Sequence, residues 1–203
     1  MASMFITFEG TEGSGKSTAL AGIAHALRQR GLTVLCTREP GAGDLGASIR
    51  QALLFGGQLA PETELFLFLA DRAEHTAKMI RPALERGETV LCDRYGDSTV
   101  AYQGHARGLS VERLRELNSM ATRALRPDLT LLFDLEPSLG LARLAEKDRM
   151  DAEPIAFHEK VRAGFHEEMR LDPGRWVLMD AAQEPGEVLS RALEAVVSRL
   201  ENR

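Results

Sequence analysis

The stretch Phe5-Ile-Thr-Phe-Glu-Gly-Thr-Glu-Gly-Ser-Gly-Lys-Ser-Thr18 constrains this chain more than any other. It holds Gly10-x-x-x-x-Gly15-Lys16-Ser17 directly after an apolar run that reads as a buried strand. In such a loop, glycines let backbone N–H groups turn inward around an anion. The lysine reaches the β- and γ-phosphates, and the hydroxyl binds Mg2+. A helix is expected over residues 16–30, with Gly31 as its stop. Its positive end points at the same anion. Strand, loop and helix in this order imply a nucleoside triphosphate site built from Gly10, Thr11, Glu12, Gly13, Ser14, Gly15, Lys16, Ser17 and Thr18.

The rest of the chain repeats that alternation. Apolar runs at Phe5–Phe8, Leu32–Cys36, Thr89–Cys92, Leu129–Leu135 and Trp176–Met179 read as strands. Leu20, Ile23, Ala24 and Leu27 share a face of the first helix; Leu65, Phe68, Leu69 and Arg72 share one on a helix starting near Pro61 or Glu62. Val111, Leu114, Leu117 and Met120 mark another, with Ser110 as N-cap. The expected fold is α/β: a five-stranded parallel sheet in a three-layer αβα arrangement, with ligands at the carboxyl ends of the strands. At 203 residues it reads as one domain over residues 1–203.

A formal net charge of −5 argues against coating nucleic acid or an anionic membrane. No apolar run approaches a membrane span, and Met1-Ala-Ser-Met-Phe5 lacks the charged start of a secretory signal, so a cytoplasmic location is expected. Cys36 and Cys92 read as buried structural thiols.

Strand ends then become the places to read. Thr37-Arg38-Glu39-Pro40-Gly41 follows the second run and Asp93-Arg94-Tyr95 the third. One arginine at such a place reads as a surface ion pair; two beside a phosphate loop read as an anion site. Asp93 either holds Mg2+ with Ser17 or pairs with Arg94 and caps a turn. Phe68, Arg72 and His75 share a helical face, which suits either stacking on a base or an ordinary core Phe beside a solvated Arg; His75 reads as a helix-surface histidine without a role. Tyr102 and Gln103 either touch a ligand or pack under a loop. Arg143, Lys147 and Arg149 form either a salt-bridged helix end or a lid whose cations close over the triphosphate.

Together these segments resemble the thymidylate kinase family, over most of the chain. The resemblance rests on Phe8–Thr18, Thr37–Gly41, Phe68-Leu-Ala-Asp-Arg72 with His75, Asp93-Arg-Tyr95, Ser98, Ala101-Tyr-Gln-Gly104, Arg107-Gly108, Pro127-Asp128, Gly140-Leu-Ala-Arg143 and Asp148-Arg149. It implies a P-loop nucleoside-monophosphate-kinase fold with a lid at about 141–153, ATP and dTMP as substrates, Mg2+ as cofactor, and a homodimer. It implies that Phe68 stacks on thymine, Arg72 reads the base edge, and Arg38 and Arg94 hold the acceptor phosphate. Glu12 would accept from the sugar 3′-hydroxyl and Tyr102 would sit against the sugar, with Pro40, Ser98 and Gln103 also at dTMP. Arg143 would lie over adenine, Lys16, Arg94 and Arg149 would be catalytic, and Glu39–Pro40 would be a cis peptide. Gly13 and Glu12 match the bacterial form, which takes its catalytic arginine from the lid. Lys147 stands where that form is expected to carry arginine, and Ala42-Gly43 replaces Gly-Thr, so the cation reaching the phosphoryl group is open among Arg143, Lys147 and Arg149. Two other readings are another monophosphate or deoxynucleoside kinase, and an ATP-switched binding protein without a second small substrate.

Overall fold

A computed structural model describes residues 3–202. Met1, Ala2 and Arg203 lie outside them, so the reading of the chain start is not addressed there. Five strands, β1 (Phe5–Glu9), β2 (Val34–Arg38), β3 (Thr89–Asp93), β4 (Leu129–Asp134) and β5 (Trp176–Asp180), form one parallel sheet in the order β2-β3-β1-β4-β5. The central strand β1 is buried along its whole length, which is why it reads as an unbroken apolar run.

Helices cover both faces. They are α1 (Lys16–Gln29), α2 (Gly43–Phe55), α3 (Pro61–His75), α4 (Arg81–Glu85), α5 (Gly96–Thr99), α6 (Val111–Thr122), α7 (Pro137–Ala142), α8 (Ile155–Leu171) and α9 (Pro185–Glu201). Period-2 alternation divides the core. Ile6, Phe8, Leu131 and Phe133 meet Ile23 and Leu27 of α1 and Val196 of α9, while Leu132 and Trp176 meet Val161 and Phe165 of α8. Phe8 and Phe133 stack at 5.9 Å across β1 and β4. Burying each such ring contributes about 1.5–3 kcal/mol.

The helix signals act as written. Pro61 opens α3, and the Ser110 hydroxyl accepts from the Arg113 amide at 3.4 Å. Gly31, at φ +80°, donates to Arg28 O at 2.9 Å, and Leu32 N donates to Leu27 O at 3.2 Å. This left-handed ending stops α1. It also removes Leu32 from β2, which starts at Val34 and runs on through Arg38.

Two sequence readings need correction. Cys92 is buried, but Cys36 is exposed: it lies on the edge strand β2, where Arg28 at the end of α1 reaches its sulfur at 3.5 Å without covering it. In α6, Leu114 is buried while Met120, six residues on, is 72% exposed. The stripe drifts off the core there. Among the described residues no helix is long and apolar enough to cross a membrane.

The strand register sets the functional end of the sheet. Arg38 pairs with Asp93, and Asp93 with Phe8, so the carboxyl ends of β2, β3 and β1 lie side by side. The phosphate loop leaves β1 at that edge.

Candidate active site

The loop is held by backbone as much as by side chains. A Cβ on Gly13, whose φ is +65°, would stand 2.0 Å from the carbonyl oxygen of Gly140 in α7; a Cβ on Gly140 would stand 2.2 Å from Glu12 O. Only two glycines allow this approach. Gly15, left-handed, is the N-cap of α1. Inside the loop Thr11 and Ser14 are buried and joined by a 2.8 Å bond from Ser14 Oγ to Thr11 O. Lys16 is also buried, and its Nζ donates to Gly10 O at 3.0 Å, Thr11 O at 2.6 Å and Ser14 Oγ at 3.2 Å. Burial, with Arg94 nearby, lowers its pKa to about 8. Asp93, Glu12 and Glu9 offset that penalty only in part, and a bound phosphate would add the direct counter-anion that its three loop-oxygen partners do not provide. Ser17 and Thr18 are exposed on the first turn of α1, and Ser17 Oγ donates to Asp93 Oδ2 at 2.7 Å.

A cavity of about 300 Å3 opens beside the loop, lined among others by Glu12, Arg38, Pro40, Phe68, Arg72, Arg94, Ser98, Tyr102 and Gln103. Every residue that the resemblance assigns to an acceptor nucleotide is therefore on one wall or another of a single space. Arg94, left-handed at φ +68°, spans the middle of it. Its Nη1 donates to Gly10 O at 3.0 Å and Ser98 Oγ at 3.3 Å, its Nη2 to Glu12 Oε1 at 2.9 Å, and its guanidinium lies 5.1 Å from the Tyr102 ring centroid. Burial opposes its charge, but Tyr102, Glu12 and Asp93 raise its pKa further. Arg38 is exposed at the lip, and its side chain makes no hydrogen bond or ion pair with any described residue. Glu39–Pro40 is cis.

Arg72 is not solvated. It is 1% exposed, with Nε on Glu39 Oε2 at 2.8 Å, Nη1 on Thr99 Oγ1 and Asn118 Oδ1, both at 2.6 Å, and Nη2 on Tyr95 O at 2.9 Å. Four of its five N–H groups are thereby engaged, leaving one on Nη2 for a ligand. His75 is no surface residue either: it is buried, and its ring joins Glu39 Oε1 at 2.9 Å and Thr37 Oγ1 at 2.7 Å. The solvated alternative for Arg72 and the surface reading of His75 both fail because their partners come from other elements. Phe68 is half-buried on the same helix and lines the cavity.

Tyr102 and Gln103 sit on a π-helical segment, Val100–Ala106, that continues α5. The Tyr102 hydroxyl donates to Glu12 Oε1, and Gln103 Nε2 donates to Glu64 Oε1 at 2.9 Å. Glu12 Oε2 meets His158 Nδ1 at 3.2 Å. Burial pushes the Glu12 carboxyl up, but Arg94, His158, Lys16 and Tyr102 together hold it well below the usual carboxylate range.

The lid candidates divide. Arg143, exposed after α7, has Nη1 3.4 Å from Gly13 O and from Ala181 O. Lys147 is exposed. Arg149 is turned away from the loop: Nη2 holds Glu64 Oε2 at 2.6 Å and Nε holds Leu53 O at 2.8 Å. Sequence reasoning missed Arg50, which lines the cavity and donates to Pro40 O at 2.9 Å, and also Glu39, Glu64 and His158. Arg50 carries no signal beyond being one cation on an amphipathic helix.

Glu9, at the end of β1, is fully buried, with Oε1 accepting from Tyr95 N at 2.8 Å and Oε2 from Ser98 Oγ at 2.6 Å. Burial, then Asp97, raises its pKa to about 8. The folded value exceeds the unfolded one, so the stability it confers is full below about pH 4.5 and is lost as pH rises through about 8. Lys16, depressed to about 8, has the opposite trend and must be cancelled by comparison. Glu9→Gln is expected to lose roughly 2 kcal/mol less unfolding free energy than the native chain between pH 6 and 8.5. Urea unfolding of both proteins across that range measures it; equal slopes would mean an ordinary carboxyl at Glu9.

Three comparisons place this geometry among known proteins. A family model described as thymidylate kinase matches residues 8–192. A thymidylate kinase of Thermomicrobium roseum is 52% identical over 99% of this chain and 97% of its own, and one of a Synechococcus species is 49% identical over 97% and 96%. The crystal structure of thymidylate kinase from Ehrlichia chaffeensis superposes with a TM-score of 0.81 at 32% identity, covering 97% of this chain and 99% of that one.

Proposed function

The chain belongs to the thymidylate kinase family, and from that membership and the cavity's geometry we propose how its residues share the reaction. It is an ATP-dependent kinase that moves the γ-phosphoryl group of ATP to dTMP, giving dTDP and ADP, a step of nucleotide biosynthesis. The acceptor is a phosphate already ionised at neutral pH, so no general base is needed. Alignment and charge neutralisation carry the rate.

ATP lies with its phosphates in the loop from Gly10 to Thr18, and Lys16 exchanges its loop carbonyls for β- and γ-phosphate oxygens. Arg143, already against Gly13 O, lies on the adenine side. Arg94 and Arg38 hold the acceptor phosphate opposite, limiting repulsion between two anions. Phe68 supports the thymine face, and the free Nη2 hydrogen of Arg72 meets the base edge. Glu12 accepts from the 3′-hydroxyl, and Tyr102, fixed on Glu12, closes the sugar's other side. Pro40, Ser98 and Gln103 complete the walls. The observation that carries this reading is that Arg94 touches the phosphate loop, Glu12 and Tyr102 at once, joining donor and acceptor sites through one side chain.

The metal fits the donor set. Ser17 Oγ and Asp93 Oδ2, two hard oxygens, meet at 2.7 Å beside the phosphate loop. Such a sparse set suits Mg2+, which keeps waters and takes its other ligands from phosphates. Ser17 and Asp93 would hold it, and when bound it withdraws charge from the transferring phosphoryl group.

The chain works as a single domain with a lid over residues 141–153. For Arg149 to act on the phosphoryl group, its bonds to Glu64 and Leu53 O must break as the lid closes. Exposed Phe66 on α3 and Met120 on α6, helices that pack together, support a homodimer; sedimentation velocity decides it. The cytoplasm is where such a nucleotide pool lies.

A coupled assay across acceptors tests the site. dTMP should exceed UMP and AMP by at least about 100-fold in kcat/KM, since a pocket built for one base leaves polar groups unpaired with another. Comparable rates with all three would overturn the roles given to Phe68, Arg72 and Tyr102.

A further inference from the structure

Glu12 is gripped from three directions, and one of the grips belongs to a residue outside the cavity wall. Arg94 Nη2 and the Tyr102 hydroxyl both donate to Oε1, which fills that oxygen's two acceptor positions. His158 Nδ1, on the first turns of α8, stands 3.2 Å from Oε2 and takes one of its two. One acceptor position on Oε2 is left, so that oxygen is where a sugar hydroxyl must bind.

His158 is built for this contact alone. Its side chain is completely buried, edge-on to Phe157 at 5.5 Å between centroids, and its Nε2 is buried with no hydrogen-bond partner. An ionised carboxylate only accepts, so Nδ1 carries the hydrogen. A second hydrogen on Nε2 would point into an interior with nothing to receive it, a costly arrangement. With Nδ1–H as the donor, the ring aims one hydrogen bond at Glu12. Without it both donors sit on Oε1 and nothing holds Oε2 itself, so the plane of the carboxylate is fixed from one side only about a torsion that is broad by nature.

We propose that His158 is a positioning residue for acceptor selectivity: by fixing the plane of the Glu12 carboxylate it aims the free Oε2 position at the 3′-hydroxyl of the acceptor nucleotide. This rests on the reading of Glu12 as the partner of that hydroxyl. A site arranged to receive a hydroxyl rejects an analogue lacking it far more than an apolar site does. Loss of His158 should therefore damage the reaction with the hydroxylated acceptor and spare the one without.

The test compares dTMP with its 3′-deoxy analogue as acceptors for the native enzyme, His158→Leu and His158→Asn. The native enzyme should prefer dTMP by about 30-fold or more in kcat/KM. His158→Leu should lose about 10-fold or more on dTMP but less than about 3-fold on the 3′-deoxy compound, so the preference collapses. His158→Asn, whose side-chain N–H lies near the position of Nδ1, should restore the preference to within about 3-fold. A merely structural residue would lower both acceptors together. If His158→Leu does not fold, His158→Gln replaces it, since its donor lies farther out and should fail where Asn succeeds. A native enzyme indifferent to the 3′-hydroxyl overturns the Glu12 reading and the proposal with it. A strong native preference kept intact by Leu or Gln overturns the proposal alone.

Discussion

Lys16→Ala is expected to lower kcat for dTMP phosphorylation by about 1,000-fold or more at saturating ATP while leaving the fold intact. Phosphoryl transfer gives the protein little covalent chemistry to perform, so a fixed charge at the transferring group accounts for a large share of the rate. Lys16 is buried and bonded only to loop oxygens, two carbonyls and the Ser14 hydroxyl. Its ammonium is desolvated beside Arg94, and removing it relieves that strain in the ligand-free protein. The melting temperature should thus be unchanged or higher, separating lost chemistry from lost structure. Steady-state kinetics with a thermal melt on the same preparation decides it; a kcat within tenfold of native would sink the assignment.

Arg94→Ala should reduce kcat/KM for dTMP by about 100- to 1,000-fold and change ATP affinity by less than about 3-fold. Arg94 supplies both donors of its fork to this wall, on Gly10 O and Glu12. A forked cation suits a phosphate oxygen pair and a point charge does not. Arg94→Lys, which keeps the charge near Glu12 and Glu9, should therefore recover less than tenfold. Full recovery by lysine would mean that Arg94 acts by charge alone. Weakened ATP binding in both variants would mean that it serves the donor side.

What could be read in the sequence was what is local. The phosphate loop carries its geometry in nine consecutive residues, and the strand ends at Arg38 and Asp93 follow from apolar runs that stop. Where function depends on partners brought by topology, the sequence was silent. Nothing in Ala156-Phe-His-Glu-Lys160 sets His158 apart from a surface histidine, because its partner Glu12 is 146 residues away. The choice between a solvated and a site Arg72 stays open in the sequence because its neutralising Glu39 and its acceptors Thr99 and Asn118 arrive from separate elements. Cys36 reads as buried on any strand with helices on both sides, and only the sheet order puts it at the edge. The π-helical turn bearing Tyr102 has no period-3.6 signature to find. Arg149 was matched to the lid by motif, and its hold on Glu64 depends on a carboxylate in α3 that no motif includes.

The buried Glu39 carboxylate ties Arg72 and His75 together, and its own backbone lies between Arg38 and Pro40. If Arg72 reads the base edge and Arg38 seats the acceptor phosphate as proposed, moving Arg72 would also disturb the segment beside the phosphate. On that reading, recognition of the two ends of the acceptor is mechanically linked through Glu39. Single substitutions at this hinge should yield poor catalysts rather than catalysts of altered taste, and a change of substrate would demand several coordinated replacements at once.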